Sequence, residues 1–160
     1  MNSILKAGFA IGVLCAIWQV IMALTGWITN PSLMNLFYLV ILIEIVVLIW
    51  GLKQCAAGNT YGQQVLAGTA MSVLAGVFLF AFSLLLTMVL FPNLINEMKT
   101  VQTQVLKDAG RSEAEISVAL NLQTPLIQAL QGLIGTVVTG LLASLIIAIF
   151  MRKKGGMQSS

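Results

Sequence analysis

The sequence predicts an all-α integral membrane protein with four transmembrane helices and a short extracytoplasmic helical segment between the third and fourth. Three observations lead there. Of the 160 residues, 59% are apolar and only 8% are charged, where a soluble domain carries about a quarter charged residues. A mean hydropathy of +0.99 leaves too little polar surface for water. The apolar residues also fall into four runs, each long enough to cross about 30 Å of hydrocarbon, which takes roughly 20 helical residues.

The first run extends from Ala7 to Leu24 and reaches an interfacial Trp27, giving a span of 7–27 before the polar turn Thr29-Asn30-Pro31-Ser32. It has neither the cleavage site of a signal peptide nor a lipoprotein signal, since a bulky Leu14 precedes Cys15, so an uncleaved helix is expected. The second span, 33–52, stops at Lys53. The third, 65–91, stops at Pro92, which cannot continue a helix. The fourth, 126–151, follows Pro125 and ends against Arg152, Lys153 and Lys154, which open a basic tail over 152–160. Inside hydrocarbon every backbone polar group must be bonded within its own span, so these runs are helices.

Residues 93–124 form the one sizeable polar segment between spans. Leu94, Met98, Val101 and Val105 make one apolar stripe at helical spacing. Gly110 supplies a stop, and Ser112 with Glu115 makes a capping box that starts a second short helix. Such stripes pack on their own protein, lie in the membrane interface or receive a partner. Orientation follows from the basic residues. Lys6, Lys53, Arg152, Lys153 and Lys154 gather at one end, and Lys99, Lys107 and Arg111 at the other. Both termini and the loop Gln54–Gln63 are therefore expected in the cytoplasm.

Composition also limits the chemistry. Histidine is absent, so no His-based catalysis or metal site is available. Cys15 and Cys55 fit no ligand spacing. The dispersed basic residues and a net charge of +3 do not make a nucleic-acid surface. No Walker loop, nucleophile elbow or pair of catalytic carboxylates occurs. The expectation is a non-enzymatic chain with no cofactor and no metal.

Small residues recur at every fourth position on three spans. Gly8, Gly12 and Ala16 line one face of the first, and Gly68, Ser72 and Gly76 one face of the third. Gly132, Thr136, Gly140 and Ser144 line the fourth. Lipid gives no hydrophobic drive to helix pairing, so small residues that let backbones approach mark the packing faces, within one chain or between copies. The segments Ala7–Leu14 and Ala67–Leu74 also share five of eight residues, consistent with two parallel hairpin repeats or with a restricted apolar alphabet.

Glu44 is the one acid inside a span. It precedes Lys53 by nine residues, about 13 Å along a helix, near the bilayer midplane. Equal counts from the cytoplasmic ends reach Cys15, Ser72 and Ala143 or Ser144, with Gln19 about one turn further out. A polar layer of Glu44, Ser72 and Ser144, with Gln19 nearby, is the candidate intramembrane site. It reads either as a protonated Glu44 hydrogen-bonded to a hydroxyl, a packing group, or as a proton or cation relay.

The chain resembles a family of bacterial membrane proteins, domain of unknown function 4199. The resemblance covers nearly the whole sequence. It rests on Gly51-Leu52-Lys53 leading to a short Gly-Asn loop, on Phe91-Pro92-Asn93, on Ala109-Gly110-Arg111-Ser112-Glu113, and on Leu141–Lys154 ending in Phe150-Met151-Arg152-Lys153-Lys154. The loop Gln54–Gln63 departs from it, carrying less charge than is usual there. The resemblance implies four transmembrane helices and an envelope location, here the bacterial inner membrane, and brings no activity. The function expected is a self-associating scaffold or accessory subunit, a homo-oligomer or the partner of another membrane protein. The alternative is a small proton- or cation-coupled transporter or channel using Glu44.

Overall fold

A computed structural model describes residues 3–55 and 60–151. The basic tail 152–160 and the middle of the loop Gln54–Gln63 lie outside the described residues. Helix α1 covers Ser3–Leu24, α2 Leu39–Cys55, α3 Tyr61–Leu85, α4 Leu94–Asp108, α5 Glu113–Asn121 and α6 Pro125–Met151. No strand occurs among the described residues. Four helical stretches, Ser3–Leu24, Asn35–Cys55, Tyr61–Leu90 and Pro125–Met151, are long and apolar enough to cross a membrane. That matches the number and order of spans expected.

Boundaries shift for local reasons. α1 closes at Leu24 because Gly26 takes φ 68°, left-handed backbone that glycine adopts without a Cβ penalty. Trp27 therefore sits beyond the helix, in a short 3₁₀ turn over Trp27–Thr29. A second 3₁₀ turn, Met34–Tyr38, leads into α2, and the Trp18 indole donates to Leu36 O across 3.2 Å, tying this connection back to α1. At its far end α3 runs on into a π turn, Leu86–Leu90, closed by Phe91 N–H donating to Leu86 O at 2.7 Å. Pro92 then ends the helix, and α4 and α5 follow. Gly110, at φ 71°, turns the chain between them. Ser112 and Glu115 bond reciprocally at the start of α5.

The polypeptide runs up α1, down α2, up α3 and down α6. One end of the bundle thus carries the starts of α1 and α3, and the other, the loop end, carries α4 and α5. α3 and α6 share the most extensive contact, α1 lies along α3, and α2 closes on α1. The seam between α2 and α6 is much sparser. Ile11, Leu48, Leu52 and Met71 are fully buried at the centre. Large apolar side chains cover the outside, Phe150 and Leu66 among them, 82% and 71% exposed. Apolar surface exposed on this scale is rare on a soluble monomer and suits a lipid surrounding.

Between helices surrounded by lipid there is no hydrophobic drive, and close fit through small residues is what holds them. A Cβ on Gly8 would stand 2.8 Å from Met71 O, and one on Gly12 2.7 Å from Phe78 Cδ1. These two glycines bring α1 against α3. Gly68 and Gly76 bring α3 against α6 instead, Gly68 on Ser144 and Gly76 on Leu133 and Val137. The shared Ala-Gly starts of the first and third spans therefore serve different neighbours. Below them, the Gln64 amide donates to Met151 O at 3.2 Å, satisfying one of the carbonyls that a helix end leaves open.

Candidate functional site

α3 and α6 run antiparallel, and their small residues interleave. Ser144 of α6 fills the space over Gly68, and Ser72 of α3 fills the space over Gly140. α2 leans on the second of these contacts: a Cβ on Gly140 would collide with Ser72 and stand 2.8 Å from Glu44 Oε1. Glu44 and Ser72 thus meet on either side of Gly140. Ser144 lies one helical turn away, against Gly68, so Gly140 rather than Ser144 occupies the level of Glu44 on α6. Cys15 approaches from α1, its thiol 3.9 Å from Val40 O on α2.

This floor is buried and sparsely bonded. Glu44 is 2% exposed, and Ser72 and Ser144 are fully buried. Ser72 is the hydrogen-bonding neighbour of the Glu44 carboxyl, while Ser144 Oγ has no partner among the described residues. A buried polar group left unmatched costs about 1–3 kcal/mol. Among the described residues the one ion pair is Arg111–Glu115, at 3.6 Å on the surface of α5, so no fixed cation answers Glu44.

Above the floor the bundle is open. A cavity of about 430 Å³ reaches from the loop end down to Glu44, between α2 and the first half of α6. Its apolar wall includes Ile28, Val40, Ile41, Leu79, Leu86 and Leu94. Polar residues line it on three helices: Gln19 of α1, Ser83 of α3 with Thr87 in the π turn that follows, and Thr136 and Thr139 of α6. Gln128 and Gln131 stand nearer the rim, and Gln128 is steadied by Met98 of α4, its amide 3.4 Å from Sδ. Phe37 and Tyr38 also line the cavity, their rings 6.5 Å apart and edge to face.

Gly132 behaves unlike the other small residues of its stripe. Nothing lies within 4 Å of a Cβ placed there or at Gly135, and both glycines line the cavity. Gly132 is therefore cavity wall and not a packing contact. Sequence reasoning placed Gln19 near the site but passed over Gln128, Gln131 and Thr139. Their signal is in the spacing: 128, 131, 135 and 139 share one helix face, one step round from the stripe of Gly132, Thr136, Gly140 and Ser144. The π turn left no signal beyond the proline that follows it.

The arrangement is a vestibule lined by apolar and polar side chains, with a carboxyl at its base. The model of the family described as protein of unknown function (DUF4199) matches residues 6–153. No curated protein and no solved structure matches the chain. The family match covers nearly the whole sequence, and the chain belongs to that family.

Proposed function

We propose that this member of the DUF4199 family is a non-enzymatic membrane protein that takes a small cationic species, a proton or a cation, into the vestibule and holds it on Glu44. One observation carries the reading: the cavity ends on a buried carboxyl without a cationic partner among the described residues. Ionisable groups inside a span are costly to keep and usually mark an ion or proton path. The inner membrane is the site we assign, with both termini cytoplasmic, on the five-to-three division of basic residues between the two ends. The vestibule then opens away from the cytoplasm. A cysteine at Ser112 should react with an impermeant thiol reagent in spheroplasts; protection there, with labelling only after lysis, would reverse the orientation.

The test of function is flux. Purified protein in liposomes should carry protons or a monovalent cation down a gradient, and Glu44→Gln should stop this while leaving the melting profile in detergent unchanged. Equal flux in the variant would remove Glu44 from the function. The second reading is a self-associating scaffold or accessory subunit. It requires a helix of a second copy to seat against Gly132 and Gly135, whose Cβ positions are unoccupied, and so to close the cavity they line. The other glycines of the stripes lend it nothing, since Gly8, Gly12, Gly68, Gly76 and Gly140 are filled by neighbours in the same chain.

A further inference from the structure

We infer that the species held on Glu44 is an organic monocation, an amine or a flat aromatic cation with apolar bulk, and not a bare metal ion. This rests on the reading of Glu44 as the cation-holding group and names the class of ligand. Size is the first argument. The cavity measures about 430 Å³, whereas a water occupies about 30 Å³ of liquid and pockets for organic ligands begin near 300 Å³. An inorganic ion would leave most of that volume unfilled.

Donor chemistry is the second argument. A hard divalent cation takes six or more oxygens, commonly from several carboxylates. Among the described residues no group of three acids, cysteines or histidines exists that could hold a metal. One carboxyl balances one positive charge. The wall above it is mixed in the manner of an organic-ligand site, apolar at Val40, Ile41, Leu79 and Leu86 and polar at Thr87 and Thr136. The third argument is the aromatic pair. Phe37 and Tyr38 line the cavity, their rings 6.5 Å apart, and aromatic faces attract organic cations by their quadrupole. A cation drawn in by the rings can place its charge on Glu44 and its hydrocarbon against the wall.

A proton and an organic cation then compete for one carboxyl. Binding of R–NH3⁺ to protonated Glu44 releases one proton and leaves the carboxylate–ammonium pair; a permanently charged cation releases the same proton. The charge inside the bundle is unchanged by the exchange.

Ethidium, a fluorescent aromatic monocation, is a direct probe. Full-length protein in lipid nanodiscs should bind it saturably and release one proton per ethidium into weakly buffered medium. Sodium or potassium in large excess should not displace it. Glu44→Gln should weaken binding at least tenfold. Gly135→Leu should do the same by filling the cavity, and because nothing lies within 4 Å of that Cβ position, its melting point should not fall below the wild-type value. Ethidium binding that is absent, unchanged in both variants, or displaced by sodium would overturn the assignment. If ethidium fails while Glu44-dependent proton or metal-ion flux persists in liposomes, the ligand class is wrong and the function of Glu44 stands. If both fail, the reading of Glu44 falls with it.

Discussion

The two ends of the bundle are built from the same helices by opposite means. Toward the termini, α3 and α6 meet through Gly68, Ser72, Gly140 and Ser144, and each glycine is covered by a serine of the facing helix. Toward the loop end α6 again presents two glycines, Gly132 and Gly135, and nothing covers them. Glycine in the first setting lets backbones touch. In the second it keeps a wall thin. The difference shows that a small residue on a membrane helix is not by itself a contact; what stands opposite decides its role. The seam with α2 explains why the loop end stays open, because α2 meets α6 sparsely and enters its helical form only at Leu39.

The largest effect should come from breaking the tight half. Gly140→Leu should leave no folded protein, and Gly140→Ala should cost about 1–3 kcal/mol, the usual range for overpacking. The added Cβ collides with Ser72 and crowds Glu44 Oε1. Thermal unfolding in detergent reads both, and a wild-type melting point for Gly140→Ala would mean that this contact is loose. The open half should respond with the opposite sign. Gly132→Ala and Gly135→Ala should stabilise by about 0.5–1 kcal/mol through the conformational entropy glycine loses in a helix. A loss of stability in either would show that the cavity wall is packed after all.

How far this contrast was legible in the sequence differs between the fold and the site. Four uninterrupted apolar runs leave helices as the one way to bond the backbone in lipid, and the structure has four helices of that kind. Depth counting found Glu44 and Ser72 as neighbours but put Ser144 where Gly140 stands. Such a count assumes equal starting depths for every helix. Gly132 looked identical to Gly140 because a stripe records spacing along one helix and is silent about its partner. The vestibule was hidden for the same reason, since it arises from helices failing to meet. Gln128, Gln131 and Thr139 were visible as polar residues, and only the cavity gives them a common surface.

The smallest expected effect lies outside the bundle and isolates it from the loop segment. The Ser112 backbone N–H, and then its hydroxyl, hold the Glu115 carboxyl below the ordinary carboxylate range, with Arg111 adding less. A lowered folded-state value means that the capping box contributes above the unfolded value, about 4.3, and loses its contribution as pH falls through the folded one. Acidification should therefore fray the start of α5, seen as loss of amide protection at Glu115 and Ile116. Gly140 and its neighbours should keep theirs until the whole bundle opens. Unchanged protection in α5 well below that range would mean that the box adds nothing.

The π turn at Leu86–Leu90 has a consequence for how the chain can vary in length. A π turn amounts to one residue inserted into an α-helix, and removing one residue restores α-geometry and rotates all that follows by about 100°. Leu94 and Met98 of α4, which line the cavity, would then swing off it, and the Met98 hold on Gln128 would go with them. A residue added or lost beside Gly110 changes the α4–α5 connection and leaves the vestibule alone. Insertions and deletions in related chains should accordingly gather around Gly110 and avoid the stretch from Leu86 to Met98, where the count of residues sets the phase of a wall.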